Sequence, residues 1–350
     1  MACQAKASSL LVLSNGGANQ TTTQLLLALG TYIGRVMPYE VRPRGLPSGR
    51  VAKLVSALRS EIGNVAALFR HAMVLSHSAA AFSLPTLLAA KLTGRPIILV
   101  IWDIYPESLG WASRHRLLSW CLSKLENAAY ALSDLVLVNS EDYLQHVRRK
   151  GAGNVRVVPM WTVEEPRPAL GQPRRPSDPL RLAWAGQINP LRDLPSTVRQ
   201  VLDSCRGEVE LHLFTSSDIP PALVQLAQAE GRLTLKERGF LPLEKLYSEL
   251  GRLDFGLVSI DPRFDMPFFP SKTMSYLLAG IPVLFEGPRT PALDRLFDAD
   301  GIGLRVDEVT EERLSALHQA FPERRRRYLE RVETEVADFA ANLPRLLNRH

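Results

Sequence analysis

The chain has 350 residues, of which 46% are hydrophobic and 22% charged, enough apolar material for about two globular domains. Three widely spaced cysteines, Cys3, Cys121 and Cys205, exclude a disulfide framework and a metal-ligand spacing, and they suit a reducing cytoplasm. The net charge of +6 is uneven: residues 1–170 hold 18 Lys+Arg against 10 Asp+Glu, and residues 171–350 hold 24 against 26. A basic first half suits an anionic partner such as acidic headgroups or a diphosphate. Sparse aromatics and the lack of a helix-turn-helix, zinc-finger or RNA-binding signature argue against nucleic acid. The apolar run Leu10–Leu13 is too short for a secretory core, and no uncharged run approaches the ~20 residues of a membrane span.

Taken in order, Ser9–Ser14 predicts a first strand, Gly16-Gly17 a turn and Thr22–Tyr32 a helix, the βα entry of a doubly wound domain. No G-x-G-x-x-G is present, so a nicotinamide or flavin site is not expected. Residues 35–48 read as loop. Arg50–Phe69 is an amphipathic basic helix that either covers a sheet or lies on an anionic membrane surface. Ala72–Leu75 predicts a strand running into Ser76-His77-Ser78, Pro85–Leu92 a helix, and Pro96–Ile101 a central parallel strand running into Trp102-Asp103. Ligands of open α/β sheets sit outside the carboxyl ends of strands, which is where His77 and Asp103 fall. A helix over Leu117–Leu132, strands at Leu135–Asn139 and Val155–Pro159, and a Ser140 helix cap complete this half. The proline-rich stretch 164–179 reads as a linker.

The second half restarts the pattern. Leu180–Ala185 predicts a strand, Gly186–Arg192 a Gly-led loop and Leu194–Leu202 a helix. Further strands are expected at Val209–Phe214, Leu233–Lys236 and Phe255–Ser259, and helices at Pro221–Gln228 and Leu243–Leu250. Phe268–Leu284 holds a Pro-Ser-Lys turn, a helical segment Thr273–Ala279 that Gly280 stops, and a buried strand start. Ser271 stands where an N-cap belongs, and a helix N-terminus beside Lys272 suits a phosphate. From Glu311 the chain reads as charged helix, with Arg324–Arg327 as a solvated face. The expected organisation is a domain at 1–163, a linker at 164–179, a domain at 180–325 and a helical tail at 326–350.

Five patches in the right order resemble the retaining glycosyltransferases of family 4, in particular the fucosaminyltransferase-like branch of bacterial polysaccharide and O-antigen synthesis. They are Trp102–Ser108, Leu135–Pro159, Trp184–Arg192, Gly239–Leu257 and Pro270–Val283. The resemblance implies a GT-B fold, α/β with two Rossmann-like doubly wound domains facing a central cleft. It implies donor contacts from Gly16, Gly17, Gly186, Gln187, Arg192, Ser271, Lys272 and Ser275, with Gly239, Phe240 and Leu241 near the nucleobase. His77 would meet the donor sugar and Asp103 the acceptor, while Arg192 and Lys272 stabilise the leaving diphosphate. Two departures stand out. Ser275 and Pro267 occupy positions where the family places carboxylates, the one at Ser275 binding the nucleotide ribose, and Gln187 replaces an arginine.

The implied activity is sugar transfer from a nucleotide diphosphate sugar, with retention, to a glycan or a polyprenyl-diphosphate-linked acceptor in cell-surface polysaccharide synthesis. No metal or other cofactor is expected. The implied place is the cytoplasm, with peripheral contact to the inner membrane face through the basic first domain. Three alternatives share the pattern: a catalytically weak GT-B partner subunit, a nucleotide-sugar epimerase, and a non-enzymatic membrane-binding module.

Overall fold

The structure is a computed structural model. It describes residues 9–14, 39–43, 50–77, 80–107, 115–160, 178–188, 193–264 and 266–347, with backbone alone at 14, 39–43 and 50–58. The expected Thr22–Tyr32 helix, the Gly16-Gly17 turn, Arg192 and most of the linker lie outside the described residues. The chain divides into two compact units: Met1–Val163 with Pro267–Phe269 and Val332–His350, and Glu164–Met266 with Pro270–Arg331.

The first unit contains β1 (Leu10–Ser14), β2 (Tyr39–Pro43), α1 (Arg50–Leu68), β3 (Met73–His77), α2 (Leu84–Leu92), β4 (Ile97–Ile101), α3 (Arg116–Leu132), β5 (Leu135–Val138), α4 (Glu141–Arg149) and β6 (Val155–Val157). Its strands form one parallel sheet in the order β2-β1-β3-β4-β5-β6. Every side chain of β3, β4 and β5 is buried, as in a parallel strand covered on both faces. Each fully buried Val, Leu or Ile contributes about 1.5–3 kcal/mol.

Residues 35–48 were expected as loop, yet β2 lies inside them. Tyr39–Pro43 pairs on one side only, with β1, so the strand needs a single ladder. Pro43, which has no N–H, is tolerated at the end of such an edge strand. Ser140 caps α4 as expected, accepting from Tyr143 N.

The second unit contains β7 (Leu180–Ala185), α5 (Leu194–Ser204), β8 (Val209–Phe214), α6 (Pro221–Ala229), β9 (Leu233–Glu237), α7 (Leu243–Leu250), β10 (Phe255–Ser259), α8 (Lys272–Ala279), β11 (Val283–Glu286), α9 (Pro291–Asp294), β12 (Gly303–Arg305) and the start of α10 (Glu311–Leu347). The strands again run parallel, in the order β12-β11-β10-β7-β8-β9, so the order reverses between β7 and β10. That is the strand order of the dinucleotide-binding Rossmann sheet. One face is filled by Leu182, Trp184, Val198, Leu211, Phe255 and Leu257. The fold class is thus α/β with two Rossmann-like parallel sheets.

Two expectations fail in the second unit, the first through a local turn and the second through a long-range partner. Ser271 has helical dihedrals and makes no side-chain cap bond; Thr273 N donates instead to Pro270 O at 2.9 Å. The Arg324–Arg327 run is not uniformly solvated. Arg326 and Arg327 do pair at the surface with Glu323. Arg325, however, is buried and donates to Leu277 O at 2.5 Å and Leu278 O at 3.1 Å. Those carbonyls belong to the last turn of α8, where a helix leaves acceptors without intrahelical donors and favours a cation. Arg325→Ala should therefore cost about 1–3 kcal/mol by removing a buried charged donor from both carbonyls, of which Leu277 O keeps its bond from Gly280 N. A lowered urea midpoint for Arg325→Ala beside an unchanged one for Arg327→Ala is the expected result.

Candidate functional site

The reversal of strand order between β7 and β10 marks where a ligand crevice belongs in this sheet type. Strand β7 runs there into Ala185-Gly186-Gln187. Gly186 has φ +104, a left-handed backbone that costs a side chain about 1–2 kcal/mol. A Cβ on it would also stand 3.1 Å from Lys272 Cε. Its peptide is pinned on both sides, since Trp184 Nε1 donates to Gly186 O at 3.0 Å and Gly186 N donates to Phe214 O at 2.9 Å.

Lys272 opens α8 on the other side of this loop, with its Nζ 3.7 Å above the centroid of the buried Trp184 ring. A cation over an indole face is held by about 0.5–2 kcal/mol. Helix α8 is fastened below it by Tyr276. This hydroxyl accepts from Ala185 N at 3.0 Å and lies 3.2 Å from Ala183 O and 3.1 Å from Leu257 O. The Tyr276 ring rests on Gly256, where any Cβ would overlap it. Gly186, Trp184 and Lys272 therefore form one rigid corner in which an ammonium, a helix N-terminus and a glycine loop converge. Such a corner suits an anion.

Other residues singled out from the sequence stand at graded distances from the corner. Gln187 follows Gly186 and is exposed. Ser271 precedes Lys272 and is half-buried, whereas Ser275 is buried within α8. Gly239, Phe240 and Leu241 form the turn after β9, with Gly239 at φ +68 and Phe240 70% exposed. Strand β9 is two strands from β7, so this turn lies roughly 10 Å across the sheet from the corner. Arg192, like Gly16 and Gly17, is outside the described residues. A separate cavity of about 360 Å³ opens at the ends of β11 and β12. Its charges largely answer one another. Arg289 pairs with Asp307 at 3.0 Å, Arg305 with Asp294 at 2.5 Å, and Glu286 accepts from Thr197 and from Gln200 at 2.5 Å.

In the first unit, His77 closes β3 and Asp103 follows the neighbouring β4. His77 is buried, and its ring meets that of Trp102 edge-on, with centroids 5.2 Å apart. Burial pushes its pKa down to about 4, so at neutral pH it is an uncharged hydrogen-bonding group rather than a cation. Tyr143 donates to Trp102 O at 2.8 Å, and burial followed by the nearby Asp103 raises the pKa of its hydroxyl. Glu126 on α3 is fully buried and accepts from Ala80 N at 3.1 Å and Ala81 N at 2.8 Å, just beyond β3. Burial is the main cause raising its pKa. Asn139 follows β5; it is buried, and neither atom of its amide has a partner among the described residues.

The sequence did not single out Trp184, Tyr276, Tyr143, Glu126 or Asn139. For Tyr276 a signal existed: Gly256, an isolated glycine inside a strand pattern, marks a close approach. Trp184, Tyr143 and Glu126 become visible only through partners 40 or more residues away, and Asn139 only through its burial.

His77 makes stability depend on pH with a definite sign. The folded state keeps the imidazole neutral down to about pH 4, while the unfolded chain takes up a proton near 6.5. Between those values the unfolded state binds the extra proton, so stability falls as pH drops from about 6.5 to about 4 and is level outside that window. The interval corresponds to roughly 3 kcal/mol. Urea midpoints at pH 7.5 and 4.5 should differ less in His77→Gln than in the parent chain. The remaining slope in the variant includes His146, also lowered to about 4 chiefly by burial, and His212, lowered mainly by burial, while Glu126 and Glu286, raised by burial, act in the opposite direction.

Residues 26–161 match the model of the glycosyl transferase 4-like domain. No curated protein matches the sequence. Among solved structures, sucrose-phosphate synthase from Thermosynechococcus elongatus is similar at 14% identity, with 98% of this chain and 100% of that chain covered and a TM-score of 0.63. A UDP-glucosyltransferase from Polygonum tinctorium is similar at 10% identity, over 98% and 99% of the two chains, at 0.57. The lipopolysaccharide outer core galactosyltransferase WaaB is similar at 12% identity, over 95% and 99%, at 0.56. The chain thus has the α/β fold of the GT-B glycosyltransferases, two Rossmann-like domains with parallel sheets, and a segment matching the glycosyl transferase 4-like domain.

Proposed function

We propose that the chain is a glycosyltransferase that moves a sugar from a nucleotide diphosphate sugar to a glycan or lipid-linked saccharide acceptor, with retention at the anomeric carbon. The observation that carries this is the corner where Lys272 lies over Trp184 beside the Gly186 turn, at the point where the second sheet reverses its strand order. The match over residues 26–161 to a glycosyl transferase 4-like domain supports it independently. The donor diphosphate would lie on Gly186 and Lys272, with its nucleoside directed along the strand ends toward Gly239–Leu241.

Chemically, the reaction requires the C–O bond between the anomeric carbon and the diphosphate to break while the acceptor oxygen attacks. Negative charge builds on the leaving phosphate, so preorganised cations and N–H groups there lower the barrier. Lys272 and, by resemblance, Arg192 supply that charge. The acceptor proton can pass to the departing phosphate, which calls for no carboxylate nucleophile. His77, neutral at the pH of the reaction, would hydrogen-bond the donor sugar, and Asp103 would orient the acceptor.

A thermal-shift panel of UDP-, GDP- and ADP-sugars tests the proposal. One donor should raise the melting temperature, and the shift should vanish in Lys272→Ala. A second reading, a catalytically weak partner subunit, draws on Ser275, a buried hydroxyl where the resemblance implies a ribose-binding carboxylate. The absence of any shift would reject donor binding and favour that second reading. Conversion of the donor with no acceptor present would instead indicate an epimerase.

A further inference from the structure

The large exposed apolar side chains are not spread evenly over the surface. On α1, α2 and α3, which pack side by side in that order, they include Ile62, Leu88, Leu92, Leu117, Leu118 and Trp120. The concentration is greatest at the start of α3. Leu117 is 76% exposed, Leu118 51% and Trp120 59%, and between Arg116 and Leu125 no side chain of α3 is buried. The first buried side chain of this helix is Glu126. Its first two turns therefore place leucine and tryptophan in solvent, which costs solvation free energy unless a partner covers them.

The charge on these helices identifies the partner. Together they carry two acidic residues, Glu61 and Glu126, and both are buried in the protein. Glu61 accepts from Asn64 and Thr86, and Glu126 from Ala80 N and Ala81 N. Among the described side chains the exposed charges are basic: Arg59, Arg116, Lys91, which pairs with Asp134, and Lys124, with its Nζ 5.8 Å over the Trp120 ring. A surface that removes its carboxylates and interleaves cations with leucine and tryptophan matches an anionic bilayer. Apolar side chains enter the headgroup boundary, the indole settles at the interface, and lysine and arginine reach the phosphates. A second copy of the chain would offer these cations no excess of acid at the same face, because α1, α2 and α3 would present the same basic surface to it.

We propose that the exposed face of α1–α3, led by the first two turns of α3, docks the protein on an anionic lipid bilayer. The proposal does not depend on the transferase activity. If that activity holds, docking would bring a lipid-linked acceptor to the first unit.

Flotation with vesicles of zwitterionic lipid, or of equal parts zwitterionic and anionic lipid, tests it without any nucleotide. The chain should float with the mixed vesicles and remain below with the zwitterionic ones. The double variant Leu117→Ser/Trp120→Ser should lose about tenfold or more of its binding. Arg116→Glu/Lys124→Glu should lose it too, and raised salt should weaken the parent chain's binding. Both variants change exposed side chains, so their urea midpoints and nucleotide-sugar shifts should match the parent's. A chain that stays below with both vesicle types, or variants that float as the parent does, would overturn the proposal. Sedimentation showing a parent dimer that Leu117→Ser/Trp120→Ser splits would assign the face to a second copy and also overturn it.

Discussion

Lys272→Ala should lower kcat/KM by about 10²–10³-fold, the loss typical of removing one preorganised group at a developing oxyanion. Three features of the structure make the side chain a positioned one. Its ammonium is seated 3.7 Å over the Trp184 ring. The φ +104 turn at Gly186 leaves the space that its Cε occupies. Its backbone opens a helix whose far end is tied by Arg325 and whose middle is tied by Tyr276. The global fold loses with the side chain little beyond its contact with the Trp184 ring, so the unfolding free energy from urea titration should fall by no more than about 0.5–2 kcal/mol. Trp184→Phe provides the contrast. It keeps an aromatic face under the ammonium but removes the Nε1 donor to Gly186 O, so the loop loosens while the charge remains. A smaller fall, about tenfold, is expected there. A change of less than fivefold in Lys272→Ala, with the donor still stabilising the protein, would remove Lys272 from the proposed role.

The division between what the sequence disclosed and what it hid follows interaction range. Strand β4, Ile-Ile-Leu-Val-Ile, announces itself because a parallel strand buried on both faces must be apolar throughout. The helical stretch that becomes α8 and its stop at Gly280 are equally local, and Gly280 N does donate to Leu277 O at 3.1 Å. Strand β2 was hidden because Tyr-Glu-Val-Arg-Pro has mixed polarity and ends in proline, features of an edge strand and of a loop alike.

At the candidate site, glycine and lysine were legible as types that suit a phosphate corner. The indole that seats the lysine was not. Trp184 and Lys272 are separated by six intervening elements of the second unit and meet only through the crossover between β7 and β10. Arg325 was misjudged for the same reason. Within Arg-Arg-Arg-Arg nothing local distinguishes the member that turns inward to the carbonyls of α8.

Tyr276 carries the second large effect, and here the cause is packing. Its hydroxyl is within hydrogen-bonding distance of three backbone groups on two strands, Ala183 O and Ala185 N of β7 and Leu257 O of β10. Those are the strands between which the sheet reverses. Tyr276→Phe keeps the ring but leaves Ala185 N without its acceptor in a fully buried setting, a loss of about 1–3 kcal/mol. Tyr276→Ala adds a cavity beneath α8 and should cost about 3–5 kcal/mol. Gly256→Ala attacks the same contact from the other side. Its new methyl overlaps the ring, and overpacking of this kind costs about 1–3 kcal/mol. The two lesions share one contact, so they should not add. In Gly256→Ala/Tyr276→Ala the methyl fills part of the space that the ring vacated, and the double variant should be more stable than the sum of the single losses by about 1 kcal/mol or more. Urea midpoints of the three variants check this. Strict additivity would mean that the ring and the glycine are not in contact, and that α8, with Lys272 at its head, is held to the sheet by something else.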